Sequence, residues 1–246
     1  MIKRFYYDLH LHSCLSPCGD NDNTPANIAG MASLCALDII ALTDHNTTKN
    51  CPAFFCAAEK FGIVPIAGME LTTSEDIHAV CLFENLQDAT RFDEYVASRR
   101  VLIKNRVEFF GEQLIVDCED EVIGCEEYLL SNATDISIDE VYDIVKDYGG
   151  VAYPAHIDRD ANSITAILGT IPSDAKFKIY ELHSSDNASD ASGRYGIDKN
   201  RFVICSDAHY LTDMRDKDAY FSLDVEDDTP TAVRCALFEF LRGDGI

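Results

Sequence analysis

The chain is expected to adopt an α/β fold in which repeated βα units build a parallel sheet or barrel. Short apolar strands alternate with helix-patterned segments over the first sixty to eighty residues, and the alternation resumes near residue 138. Six of the seven histidines fall at or just beyond the end of a predicted strand, where active sites of barrel and open α/β folds gather. At 246 residues, 47% hydrophobic and 26% charged, the chain can bury one substantial core, so a single catalytic domain over residues 1–246 is the starting expectation.

Residues 5–12 open as a strand. Thr24 is a good N-cap and Pro25 suits a first helical turn, so a helix begins there with Ile28, Met31, Leu34 and Cys35 on one face. Asp38 to Thr43 forms the next strand, and Pro52 to Phe61 reads as a helix stopped by Gly62. Strands follow at Ile63 to Ala67 and Ile77 to Phe83. From Asp88 to about Gln113 the pattern is a long helix, followed by an acidic stretch, Asp117 to Glu127, without periodicity. Residues 88–137 therefore read as a mainly helical insertion or cap. Beyond it come a helix at Ile138 to Tyr148, a strand at Val151 to Ala155, a helix near 163–169 and a strand at Phe177 to Leu182. Arg201 to Cys205 and Thr231 to Arg242 supply the last strand and helix.

A formal net charge of −23 with a pI near 4.4 repels polyanions, so duplex nucleic acid is not expected as a partner. A small phosphorylated substrate is admitted, because bound divalent cations reverse the local sign inside an acidic site. No long apolar run or basic leader marks the chain for a membrane or for export, and ten cysteines without such a leader read as reduced thiols of a cytoplasmic protein. Most are expected to be buried, with Cys81, Cys205 and Cys235 inside apolar runs and Cys14 and Cys18 flanking the site described next. Oligomeric state is not legible.

His10 and His12 in Asp8-Leu9-His10-Leu11-His12 stand two apart on a strand, so both imidazoles leave the same face and can reach one cation. Asp207 and His209 repeat that spacing near the other end. His45 in Thr43-Asp44-His45, Glu70 in Gly68-Met69-Glu70, His78 and His156 complete a set of nitrogen and oxygen donors suited to zinc, manganese or iron(II). Eight independently satisfied buried polar groups would each need its own partner, which makes a shared metal site the simpler account.

These motifs, in this order, resemble the PHP (polymerase and histidinol phosphatase) superfamily. The resemblance spans about residues 5–83 and 150–210. It implies a distorted (β/α)7 barrel with two or three divalent cations at its carboxyl face and hydrolysis of a phosphomonoester, nucleotide or short oligonucleotide phosphate by a metal-bridging hydroxide. It further implies that His10, His12, Glu70 and Asp207 hold one ion, that Glu70 bridges to a second held by His78 and His156, and that His45 and His209 serve a third. The related proteins place an Asp seven residues after the first motif histidine, where this chain has Pro17. Asp20, or else Asp22, is the substitute ligand.

Three further residues are candidates for the chemistry: Asp44 as a group orienting a ligand or water, Arg159 as a clamp on phosphate, and His183 as a substrate contact or proton donor. Rival readings are a histidinol-phosphatase-like enzyme, an amidohydrolase-type metal hydrolase, and a non-catalytic metal-binding regulatory module docking through the acidic 117–127 stretch. No lysine lies near a motif to serve the second of these; Lys49 and Lys60 come nearest.

Overall fold

The computed structural model describes residues 1–243. In chain order the elements are β1 (Ile2–Leu11), α1 (Pro25–Leu34), β2 (Ile39–Leu42), α2 (Cys51–Phe61), β3 (Val64–Thr72), β4 (His78–Phe83), α3 (Leu86–Arg99), α4 (Val107–Phe110), β5 (Leu114–Val116), β6 (Val122–Cys125), α5 (Ile138–Asp147), β7 (Val151–Pro154), α6 (Ile164–Leu168), β8 (Tyr180–Leu182), α7 (Ala188–Tyr195), β9 (Phe202–Ile204), β10 (Tyr220–Asp224) and α8 (Pro230–Arg242). Thr24 caps α1 by accepting the Asn27 N–H, and Gly62 closes α2 in the left-handed conformation.

Six strands form a curled sheet in the order β10-β1-β2-β3-β4-β7, and β8 pairs with β9 separately. Strands β1, β2 and β3 run parallel, whereas β4 is antiparallel to both β3 and β7, and β10 is antiparallel to β1. The β8–β9 pair closes the curl at the carboxyl rim. The Ile157 N–H donates to the Glu181 carbonyl at 2.8 Å on one side, and Leu11 bridges Ala208 on the other. The result is a distorted (β/α) barrel whose sheet is mixed where the sequence reading expects parallel strands. The β3–β4 hairpin turns so tightly that no crossover helix fits between its strands. At its crossing, a Cβ on Gly68 would stand 2.7 Å from the Cys81 carbonyl oxygen, so only glycine lets β3 approach β4.

Alternate strand residues split into two cores. One lies under α1, α2, α3 and α5, and the other, with Leu9, Ile66, Leu82 and Tyr153, packs around Val233, Leu237, Phe238 and Leu241 of α8.

The predicted long helix over 88–113 ends at Arg99. Arg100 is extended, and it and Lys104 bridge Thr134 and Tyr128 across the excursion. The unassigned acidic stretch is largely the β5–β6 hairpin, tightened by Asp117, whose Oδ1 accepts the Glu119 and Glu121 N–H groups. The insertion is thus mostly loop and hairpin. Helix α3 belongs to the main core, where Ala89, Phe92 and Val96 are buried. Strand β10, whose buried Phe221 and Leu223 alternate with exposed residues over only five positions, and helix α7, which buries only Ala191, are unrecognised in the sequence. Five cysteines are buried; Cys235 is exposed, because it lies on the outer face of the amphipathic α8 despite its apolar neighbours. All ten are free thiols. Among the described residues no helix is long and apolar enough to cross a membrane.

Candidate metal centre

Strand β1 delivers His10 and His12 to one rim with their ring centroids 5.2 Å apart, and both residues are fully buried. Glu70 comes from β3, and His45 reaches it through a parallel bridge between the two residues. Because β4 runs backwards, its first residue, His78, lies opposite Thr72 at the same rim. His156 follows β7, and Asp207 and His209 follow β9. Eight residues from six separate segments therefore converge.

Glu70 is the hub. Its Oε1 stands 2.7 Å from His78 Nδ1, 3.2 Å from His156 Nε2 and 3.3 Å from His10 Nε2. Its Oε2 stands 3.0 Å from His45 Nδ1 and 3.3 Å from His12 Nε2. Asp207 Oδ1 faces His10 and His12 at 3.3 and 3.1 Å. Donor atoms within 4.8 Å of one another form three groups: His10, His12, Glu70 and Asp207; His45, Glu70 and His78; and His12, His45 and His209.

These residues fit divalent cations. His10 Nε2, His12 Nε2, His45 Nδ1, His78 Nδ1, Glu70 Oε2 and Asp207 Oδ1 are buried and make no hydrogen bond. Each such group costs about 1–3 kcal/mol when left unsatisfied, so six aimed at one volume describe a site shaped for something positively charged. The donor set of imidazole and carboxylate matches zinc, manganese or iron(II). The backbone is strained in the same place. His156 has φ +29° and Asp207 φ +53°, a region that side-chain-bearing residues rarely adopt and that functional sites retain at a cost.

The protonation pattern follows from the packing. Burial opposes charge on His10, but the Glu181, Glu70 and Asp207 carboxylates outweigh it and hold its pKa well above the ordinary value. Burial likewise opposes charge on His12, and the adjacent Asp207 and Glu70 carboxylates raise its pKa to about 9. Burial pushes His45 and His209 down, His209 to about 3, with His12 adding to the effect on His209. Glu70 and Asp207 stay ionised far below the usual carboxylate range: burial disfavours their charge, and the surrounding histidines overcome it.

Supporting groups lie behind the ligands. Glu181 on β8 meets His10 Nδ1 at 2.9 Å and accepts the His156 N–H at 3.0 Å. Ser16 Oγ sits 2.9 Å from His12 Nδ1 and donates to Asp44 Oδ1 at 2.7 Å. Asp44 also accepts from the Ser13 N–H and hydroxyl, so it acts on His12 through Ser16 rather than facing the cluster. Asp20 is close by, its N–H donating to the His209 carbonyl at 3.1 Å, but its Oδ1 accepts the Asp22 N–H and none of the three donor groups includes it. Asp22 itself is exposed.

Arg159 donates to Asp207 Oδ2 at 2.5 Å and lies 3.0 Å from His183 Nδ1. Arg215 meets the same ring at 3.2 Å. His183 is thus wedged between two guanidinium groups; burial and those two charges lower its pKa. Sequence reasoning passed over Glu181 and Arg215. The buried acid inside Tyr180-Glu181-Leu182 was the available signal for the first, and Arg215, in a charged loop, left none.

The family model described as "PHP domain" matches residues 8–150. A crystal structure of a lesion-specific endonuclease from Pyrococcus furiosus superposes with TM-score 0.64 at 17% identity over 99% of this chain. This chain spans 57% of that protein. An Endonuclease Q complex with a 27-mer duplex bearing an abasic lesion at the active site superposes equally well, at 18% identity and 99% and 57% coverage. A protein provisionally described as a metal-dependent phosphoesterase, from Bifidobacterium adolescentis, gives TM-score 0.58 at 18% identity, covering 94% of this chain and 95% of its own. An uncharacterised protein of Methanocaldococcus jannaschii is 30% identical over 76 residues, 28% of this chain and 44% of that one. The expectation that duplex nucleic acid is excluded is corrected by the duplex complex. A net charge of −23 averages over the whole surface, whereas entry to a cleft is decided by the local field, which basic side chains and bound cations set.

Proposed function

The chain belongs to the PHP domain family, and from that premise we propose that it hydrolyses phosphoesters with two or three divalent cations held by His10, His12, His45, Glu70, His78, His156, Asp207 and His209. The observation that carries this reading is the convergence of six unpartnered buried donor atoms on one rim beside two arginines.

Bound cations supply the Lewis acidity that activates water and neutralises phosphoryl oxygens. The protein's part is positioning. Glu181 fixes the ring of His10, and the Asp44–Ser16 pair fixes the ring of His12, so the two Nε2 atoms are held toward the centre without reorganisation. Arg159, paired with Asp207, stands at the edge of the cluster, and Arg215 adjoins it through the shared His183 ring; both offer planar donors for non-bridging phosphate oxygens. His183, whose pKa burial and these two charges lower, is placed to contact the substrate, and that shift makes it a poorer proton donor to a leaving group.

The substrate we propose is a terminal phosphate on a small molecule, nucleotide or short oligonucleotide. A second reading, a phosphodiester within a longer nucleic acid, is favoured by the shared fold of the duplex-bound endonuclease. An amidohydrolase reading has weaker support, since a carboxylate, Glu70, takes the bridging position.

The test is purification without chelator, elemental analysis, and assay against a phosphomonoester, a nucleotide panel and lesion-bearing duplex oligonucleotides, with His10→Ala as control. Two or three equivalents of metal and activity lost in the variant are expected. A metal-free protein, or activity surviving His10→Ala, would overturn the proposal.

A further inference from the structure

The group formed by His12, His45 and His209 has three nitrogens and, unlike the other two, no carboxylate. Pro17 stands where the related proteins place an acid, and Asp20 points its carboxylate at Asp22. What does face one member of this group, His45, is sulfur, from a partly solvent-facing side chain that lies outside the three donor groups. Cys18 Sγ lies 3.2 Å from His45 Nε2. The rings of His12 and His209 stack alongside at 4.1 Å, and His12, whose fully buried Nε2 has no hydrogen-bond partner and also faces Glu70 and Asp207, shares a donor group with His45 and His209.

The loop that carries Cys18 is built to hold it there. Ser16 binds both His12 and Asp44, and the Gly19 N–H donates to the Ser16 carbonyl at 2.9 Å. The Asp20 N–H then ties the loop to the His209 carbonyl. A Cβ on Gly19 would lie 2.7 Å from the Ser13 carbonyl oxygen, so the turn that presents Cys18 tolerates only glycine. Cys14, by contrast, is buried and directs its thiol to the Leu114 carbonyl.

The separation has the size that shared ligation demands. Zinc bonds of about 2.3 Å to sulfur and about 2.0 Å to nitrogen at a tetrahedral angle put the two ligand atoms about 3.5 Å apart. The observed 3.2 Å is within a few tenths of an ångström of that value.

We propose that Cys18 is a thiolate ligand of the cation served by His45 and His209, replacing the missing acid and making this position selective for zinc. Thiolate is a soft ligand that favours zinc, whereas manganese and magnesium prefer oxygen, so one position of the centre discriminates by ligand chemistry while the carboxylate-bearing groups do not. The inference rests on the metal-centre reading above.

The experiment is zinc X-ray absorption on the full chain loaded with zinc, with ion counting, for the wild type, Cys14→Ser, Cys18→Ser and Cys18→Asp. A sulfur shell at about 2.3 Å is expected in the wild type and Cys14→Ser and absent from both Cys18 variants. Cys18→Ser is expected to lose one equivalent of zinc, and Cys18→Asp to keep the ion count while taking manganese more readily, which separates lost ligation from lost folding. Bound zinc without sulfur in the wild type, or a sulfur shell that survives in Cys18→Ser, would overturn the inference. A wild-type chain that binds no metal at all would overturn the metal-centre reading instead.

Discussion

Glu181 and His10, 171 residues apart in the chain, meet at 2.9 Å between Oε1 and Nδ1, and both side chains are sealed from solvent. The contact fixes which nitrogen of His10 faces the cluster, and the same carboxylate secures the His156 backbone at its strained turn.

Glu181→Gln keeps the shape of the side chain but removes the charge that steadies His10. Metal affinity is expected to fall about 10- to 100-fold with the fold retained. Competition against a chelator measures it, and unchanged affinity would show that Glu181 is a packing residue only.

Arg159→Ala and Arg215→Ala each remove a charge-assisted donor worth about 1.5–3 kcal/mol. A loss of roughly 10- to 100-fold in kcat/KM is expected for each, with metal content unchanged. Steady-state kinetics on the best phosphoester decide it, and variants as active as the parent would remove the arginines from the site.

Metal uptake is expected to depend on pH. In the metal-free chain His12 has its pKa raised from 6.5 to about 9. The stability this proton contributes is therefore complete below about 6.5 and lost as pH climbs through about 9. A cation must displace the same proton, so affinity is expected to rise about tenfold per pH unit for each proton released across that window. Thermal melts of chelated protein and zinc titrations at several pH values check both slopes; a pH-independent affinity would contradict the charge pattern.

Phe92→Ala tests whether α3 belongs to the core. Its ring is fully buried and lies 5.1 Å from Phe83 and 5.5 Å from Tyr148 by centroid. A loss of about 3–5 kcal/mol is expected in denaturant unfolding, whereas a detachable cap would give far less.

The sequence disclosed the site better than the sheet. The candidate ligands stand in short motifs at strand ends, where local spacing and strand polarity already imply convergence, and Thr24 and Gly62 announce helix ends through their own chemistry. Partner direction is a long-range property. Nothing in His78 to Phe83 says that this strand runs backwards, and nothing in Tyr220 to Asp224 says that it pairs with Ile2 to Tyr6. Glu181 carried only a weak signal for a related reason: an acid inside an apolar strand stands out, but its role is defined only once His10 is known to stand in front of it. The charge argument against duplex failed because it treated a local question with a global number.

The position of β1 in the sheet bears on how the chain is made. It is made before both of its partners, β2 and β10, which lie on opposite sides of it, one nearby in sequence and the other about two hundred residues later. At about 5–20 residues per second, one edge of β1 waits on the order of 10 to 40 s for its neighbour. During that interval Phe5 and Tyr7 have no Phe221 to cover them, and the nascent chain carries an open, sticky strand edge. His10 and His12 wait equally long for Asp207. The donor set is therefore complete only once Asp207 and His209 have been made, and a chain cut before them would combine an open strand edge with an incomplete site.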